Sequence, residues 1–445
     1  MSRTGIGFAG IEGAWWLPAA QPWALPQQLA GELAEIALAV FALFDSVTAM
    51  YGTPTGAACG LNRLLEYKVP AEIPRLLGTG QVLAARPDFQ LRPIARPPHY
   101  QLVATEIELC PSAHGFAHAM QVGYGLEPDL VHAFARMLDG RELLIVGTSQ
   151  WSEFLFEQLA FCRALAAVGA HARVLYDAPI ATIAERIRHE QIWRPPIFGI
   201  DERPAVWHVD ILRRIHDHGF EAFLWPDAPD WPDNVGDAVV FRFGYFDCFT
   251  ADKLQQMLSW QAGGATFLNP AQFILDSKAV LAALQLPAVR QDLAAGDASI
   301  LDTLDRCIPE TLVIQPQIIP QLRQERPGWV VKYAGYDRGN QAWGGRSLQI
   351  GALHSPETWD RLLQIFLELP WPCVAQRVVP TARLDIAYMD ERDILHWMRQ
   401  GATRLRSFML RDHGLVCGTH LTVASAAPHV SESTAAVQAP VVFQD

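Results

Sequence analysis

A strand, a helix and a second strand follow one another between Glu142 and Tyr176, and no other stretch restricts the possible folds as strongly. Leu143-Leu144-Ile145-Val146-Gly147 is an uninterrupted apolar run of strand length, Ser152 to Val168 reads as a helix, and Ala172-Arg173-Val174-Leu175-Tyr176 is a second strand. Strands joined through a helix pack parallel, with the helix covering one face of the sheet. The alternation continues with Ala238-Val239-Val240-Phe241 and a helix over Lys253 to Ala262, so the middle of the chain is expected to be an α/β domain. Arg194-Pro195-Pro196 and the stretch from Trp225 to Pro232 read as loops punctuating it.

The flanking regions differ in periodicity. Residues up to about Thr79 look mainly helical, opened by the cluster Trp15-Trp16-Leu17-Pro18 and Pro22-Trp23, which reads as packing or as the lining of a substrate pocket. Leu29 to Val47 is apolar but carries Glu32, Glu35 and Asp45, which suits an amphipathic core helix better than a membrane span. At 445 residues and 50% hydrophobic, the chain is long enough for two or three subdomains around a cleft. Its 47 acidic and 35 basic side chains give a formal net charge of -12 with no long basic run, which argues against a nucleic-acid partner. The seven cysteines form no C-x-x-C pair, so they read as reduced thiols rather than a zinc site or a disulfide framework. No signal-peptide pattern follows Met1-Ser2-Arg3, and a cytoplasmic location is the expectation.

Chemistry concentrates in Trp329-Val330-Val331-Lys332-Tyr333-Ala334-Gly335, followed by a loop with Gly339, Gly344 and Gly345. An apolar strand delivers Lys332 to its end, and the glycines after it permit backbone N–H groups to approach phosphate oxygens that the lysine also neutralises. A glycine-rich hairpin with a snorkelling lysine gives the same pattern. Upstream, a strand ends at Asn269-Pro270, and Lys278 opens the helix that continues through Ala279-Val280-Leu281. Two lysines can neutralise one polyphosphate. Downstream, Pro372-Cys373-Val374-Ala375-Gln376-Arg377-Val378-Val379-Pro380 is a strand whose backbone could pair with the edge of an adenine, or simply be buried.

This order of motifs resembles the ATP-grasp superfamily: an Asn-Pro strand before a lysine helix, a Val-Val-Lys strand before a glycine loop, then a Val-Ala-Gln hinge strand. The resemblance implies that Lys278 and Lys332 contact ATP phosphates, that Gly335 and Gly339 belong to a loop folding over them, and that Gln376, Arg377 and Val378 hold adenine. Arg377 stands where an acidic residue usually follows the hinge glutamine, so the adenine contact is expected through backbone. The superfamily's metal-binding Glu-x-Asn is missing after the hinge. Upstream, however, Arg86-Pro87-Asp88 precedes Glu106-Ile107-Glu108, where the two glutamates alternate on a strand and face the same side, and Asp88 on a neighbouring strand could join them. Three carboxylates make a hard-oxygen site suited to magnesium. The layout resembles glutathionylspermidine synthetases and related circularly permuted ATP-grasp ligases, in which Arg-x-Asp and Glu-x-Asn precede the nucleotide motifs. Here Glu108 replaces the asparagine, and the family's C-terminal arginine has no counterpart near His420.

The implied fold is α/β (α+β): a circularly permuted ATP-grasp core with a preceding parallel-sheet domain and a helical N-terminal region. The expected division is a helical region over 1–80, metal-binding strands over 81–135, the α/β domain over 136–270 and nucleotide-binding subdomains over 271–445. The implied activity is ADP-forming ligation, in which a small-molecule or peptide carboxylate takes the γ-phosphoryl group of ATP and an amine displaces phosphate from the acyl phosphate. Magnesium would be held by Asp88, Glu106 and Glu108, with Arg86 beside the transferred phosphoryl group. Glu153 and Arg242 are possible substrate contacts or ordinary salt-bridge residues, and His114 and His118 a possible metal pair lacking a third ligand. Two alternatives stay open: ATP binding without turnover, and an α/β module that binds a partner and no nucleotide.

Overall fold

The computed structural model describes residues 16–73, 80–189, 211–225, 230–337, 347–390, 393–412, 415–425 and 436–445. The tryptophan and proline cluster at the start is extended rather than helical. It supplies two short strands, β1 (Trp16–Pro18) and β2 (Trp23–Pro26), both of which find partners at the other end of the chain. Helix α1 (Gln27–Met50) follows, with Leu29, Leu33, Ile36, Val40, Leu43 and Val47 buried at the three- and four-residue spacing of one helical face. It is the single helix among the described residues long and apolar enough to cross a membrane, yet its apolar face is buried inside the protein. Its acidic residues are absorbed within the fold. Asp45 takes a bidentate pair from Arg411 at 2.8 and 2.9 Å, and Glu32 accepts a long 3.4 Å hydrogen bond from the Leu102 N–H.

Strands β3 (Ala84–Pro93) and β4 (Tyr100–Glu108) form an antiparallel hairpin. The βαβ unit comes next, with β5 (Leu143–Gly147) and β6 (Ala172–Tyr176) at the boundaries expected from sequence, then β7 (Val239–Phe243) and β8 (Thr266–Phe267). Their order is β6-β5-β7-β8, all parallel, and every residue of β5 and β7 is buried, as befits a sheet covered on both faces. A second four-stranded sheet is antiparallel, in the order β11-β10-β12-β9, from β9 (Thr311–Val313), β10 (Trp329–Tyr333), β11 (Gln349–Ile350) and β12 (Cys373–Arg377). Helix Pro356–Glu368 backs it, packing Trp359, Leu363 and Phe366 against Trp329, Val331 and Tyr333 in a small core of its own.

Strands β13 (Arg383–Met389), β14 (Leu395–Leu410), β15 (Cys417–Ala424) and β16 (Ala436–Gln444) then return to the hairpin. They complete an eight-stranded sheet in the order β1-β16-β15-β14-β3-β4, with β13 on β14 and β2 on β16. One sheet therefore draws strands from the expected 1–80, 81–135 and 271–445 regions, and the two boundaries at 80 and 270 do not separate it. Partner choice between strands hundreds of residues apart leaves no trace in local periodicity. The established architecture is a mixed α/β chain with one parallel and two largely antiparallel sheets.

Candidate active site

The site begins with a β-bulge. In the β3–β4 hairpin Phe89 faces Ala104 and Leu91 faces Leu102, whereas Asp88 faces Glu106 and Arg86 faces Glu108, so Thr105 is the extra residue. Without it, Glu106 and Glu108 would share the apolar face of Leu102 and Ala104. The bulge turns them to the opposite face, beside Asp88 and Arg86. From the other side β14 places Arg406 opposite Asp88, and Arg404, two residues earlier, joins it on the same face. The result is a charged patch on an otherwise well-packed sheet.

Asp88 is buried and surrounded by guanidinium groups, with Arg406 Nε at 3.1 Å, Arg404 Nη1 at 3.3 Å and Arg86 Nε at 3.4 Å. Burial alone would raise its pKa, but the three arginines hold the carboxyl well below the usual range. Lys278 Nζ lies 2.5 Å from Glu106 Oε1. Burial opposes ionisation of Glu106 as well, yet Lys278 and Lys332 bring its pKa down to about 2. Glu108 hydrogen-bonds Glu106 and accepts a 2.9 Å bond from the Tyr245 hydroxyl. Burial and the neighbouring Glu106 charge push its pKa up to about 8, so at neutral pH the pair holds one negative charge and one proton.

Both lysines arrive from other elements. Lys332, on β10, donates from Nζ to the bulged Thr105 carbonyl at 3.0 Å, and burial lowers its pKa to about 8. Lys278 opens a 3-10 helix, Lys278–Gln285, whose first turn is capped by Ser277 Oγ accepting from Ala279 N–H at 3.2 Å. The backbone N–H of Lys278 donates to Ala334 O at 2.9 Å, which ties it to the end of β10. Next to that bond Gly335 has φ of +154°, and a Cβ there would lie 3.0 Å from Asp276 O, so the start of the glycine loop needs its glycine. About 360 Å³ of open space adjoins the patch, lined by Glu106, Glu108, Cys110, Tyr245, Ser277 and Lys278 among others.

The residues expected from sequence fare differently. Asp88, Glu106, Glu108, Arg86, Lys278 and Lys332 come together. The magnesium set needs correction, because Asp88 is engaged by three guanidiniums and, among the described residues, no three His, Cys, Asp or Glu side chains are placed to hold a metal ion. Glu106 and Glu108, oxygen donors in mutual contact, fit a single hard ion once their shared proton leaves; Asp88 does not fit as a third ligand. The adenine hinge also needs correction. β12 is an inner strand, the Arg377 N–H donates to Glu310 O at 2.9 Å and the Val378 N–H to Gly328 O at 2.9 Å, so neither donor is available to a base edge. The Gln376 side chain is buried and donates to Thr311 Oγ1 at 3.0 Å, while Arg377 pairs with Glu310 and Glu325 and stacks 4.0 Å over the Trp329 ring. Gly339 lies outside the described residues, as does the side chain of Glu153.

His114 is no metal ligand. It is buried among the rings of Phe134, Phe161, Phe241 and Phe408, the last at 4.4 Å, and burial lowers its pKa to about 3. Arg242 is not a surface group either. It is fully buried, forms a bidentate pair with Asp276 at 2.7 and 2.9 Å, and fixes the segment that leads into Lys278. Sequence reasoning missed Arg404, Arg406 and Tyr245. An Arg-x-Arg pair alternating with apolar residues over 404–408 was the signal for the first two.

These groups predict a pH response of the ligand-free protein. Glu106 and Asp88 have folded pKa values below their unfolded ones, so their stabilisation is present above about 4.5 and is lost as pH falls toward 2. Glu108 has a raised value, so its contribution is complete below about 4.5 and disappears as pH climbs through about 8. The melting temperature is expected to rise from pH 8 to pH 5 and fall below it. Glu108→Gln should flatten the upper limb; calorimetric scans showing the same slope in both proteins would refute the assignment.

No protein-family model matches the sequence, and no curated protein matches it. In overall structure the chain is similar to a glutathione synthetase-like effector from Globodera pallida in its apo form, with a TM-score of 0.47 and 10% identity over 96% of this chain and 90% of that one. It is also similar to a candidate gamma-glutamylcysteine synthetase from Methylobacillus flagellatus KT, with a TM-score of 0.41 and 12% identity over 87% of this chain and 83% of that one. Likenesses of this size leave the fold resting on the sheets themselves.

Proposed function

We propose that the protein is an ATP-dependent, ADP-forming carboxylate–amine ligase of the circularly permuted ATP-grasp type. The observation that supports it best is the meeting of Lys278 and Lys332, from two separate segments, beside the Glu106–Glu108 pair and Arg86. Two buried ammonium groups and a set of guanidiniums beside hard oxygen ligands suit a polyphosphate, and phosphoryl transfer needs alignment and charge neutralisation more than a side-chain nucleophile. Lys278 and Lys332 would neutralise phosphate oxygens. Glu106 and Glu108 would hold a magnesium ion, which supplies further neutralisation of the same oxygens when bound. A carboxylate substrate would take the phosphoryl group and an amine would then displace phosphate, forming an amide. Binding without turnover is the second reading, favoured by the engagement of Asp88 with arginines in place of a metal.

The test is thermal unfolding with and without millimolar magnesium-ATP, followed by ADP release in the presence of acid and amine pairs. A ligand at 100 times its dissociation constant stabilises the folded state by about 2.7 kcal/mol, enough to move the melting temperature measurably. A shift together with ADP release dependent on both substrates supports the ligase. A shift without release for any pair favours simple binding, and no shift at all would discard the nucleotide site.

A further inference from the structure

Asp88 is one carboxylate among three guanidiniums, and that imbalance is the least explained feature of the site. The partners of the three arginines are unequal. Arg86 is buried to 6% side-chain exposure, donates to Ser112 O at 2.6 Å and lies over the Phe408 ring. Arg406 is buried to 3% and donates to both Asp88 and the Thr422 hydroxyl. Arg404 keeps 14% exposure, holds Asp88 through Nη1, and its charge reaches Lys332, which it pushes toward the neutral form. Counting outward from Asp88, the patch contains Arg86, Arg404, Arg406, Lys278 and Lys332 as cations against Asp88 and the one charge shared by Glu106 and Glu108. In a protein of net charge -12, this local excess of positive charge must have a counter-ion to be worth its desolvation.

We propose that Arg404 is a direct contact for the phosphate chain of the nucleotide, and that this guanidinium set binds a nucleoside triphosphate without a divalent ion. The inference rests on the nucleotide reading above and adds to it the residue and the metal independence. Asp88 has a positioning role here: it fixes Arg404 so that the planar fork presents its N–H groups to an anion on the Lys332 side. The anion contact that the sequence reading gave to Arg86 thus passes to Arg404, the most accessible member of the trio. Two cationic groups on different elements, Arg404 on β14 and Lys332 on β10, would then grip the same phosphates, which joins the large sheet to the small one.

The experiment is titration calorimetry of the full chain with ATP in excess EDTA, repeated with magnesium, on wild type, Arg404→Gln and Arg404→Lys. Wild type is expected to bind in EDTA, Arg404→Gln to bind at least about tenfold more weakly, as for a lost charge-assisted hydrogen bond, and Arg404→Lys to fall between them. Equal affinity of wild type and Arg404→Gln overturns the contact. Binding with magnesium but none in EDTA overturns the metal independence while leaving the nucleotide site standing. No binding under either condition overturns the nucleotide reading itself and this inference with it. Should Arg404→Gln lose cooperative unfolding, Arg404→Lys decides the matter: weakened binding in EDTA supports the contact and unchanged binding refutes it.

Discussion

Replacing Lys332 by methionine abolishes the rise in melting temperature produced by magnesium-ATP while leaving the ligand-free protein about as stable as wild type. Lys332 is buried, and its lowered pKa of about 8 records the cost of keeping an ammonium group out of water. Methionine has a similar length, packs within the same space, and removes that cost. The loss is the hydrogen bond to the Thr105 carbonyl, worth about 1 kcal/mol. The folded state is therefore close to balanced, whereas the polyphosphate loses a buried cation where Coulomb attraction is weakly screened. Binding should weaken by two orders of magnitude or more, taking with it the roughly 2.7 kcal/mol of ligand stabilisation available at 100 times the dissociation constant. Melting curves in a magnesium-ATP series measure both effects. A ligand shift in Lys332→Met equal to that of wild type would remove this lysine from the site.

Arg242→Met should lower stability by about 3–5 kcal/mol, the usual consequence of stranding one partner of a buried ion pair. The pair is fully enclosed: the guanidinium meets both Asp276 oxygens at 2.7 and 2.9 Å, and the same carboxylate accepts the Phe246 N–H at 2.7 Å. Because Asp276 is two residues before Lys278 and its carbonyl abuts Gly335, loosening this pair should also reduce nucleotide binding without touching a nucleotide contact. The double variant Arg242→Met with Asp276→Leu removes both charges and should recover much of the stability, since a hydrophobic replacement of a buried pair is often neutral. Urea denaturation of the four proteins of the cycle gives the coupling directly. If the double variant were as unstable as the sum of the single ones, the two side chains would act independently and the clamp would be refuted.

Local patterns carried a good part of this structure. The strands at Leu143–Gly147 and Ala172–Tyr176, and the strand that bears Lys332, are uninterrupted apolar runs whose burial on both faces is written in their own residues. Glu106 and Glu108 were readable as a pair because a spacing of two on a strand is itself geometric. The bulge at Thr105 was not readable, because one extra residue in a strand changes the facing of side chains without changing their sequence pattern. Nor was the joining of β14 to β3, which brings Arg404 and Arg406 to Asp88 across more than three hundred residues. The hinge failed for a related reason. A strand of Val-Ala-Gln-Arg-Val type looks alike at an edge and in the middle of a sheet, and only its neighbours, β9 and β10, decide which backbone groups are spoken for.

The large sheet has a consequence for how the chain is made. Trp16 pairs with Ala436 and Val441 with Trp23, so the first described strands remain without their parallel neighbour until almost the whole chain has left the ribosome. Pairing over such separations comes late, because the loops to be closed are the longest the polymer can offer. The parallel sheet around β5 and the small core behind β10 draw their partners from nearby sequence and can form first. The charged patch is different: its arginines on β14 and its carboxylates on β3 and β4 meet only in the final closure. A nascent protein would thus own its two lysines before it owned anything to hold them, and would gain its anion-binding surface as the last act of folding.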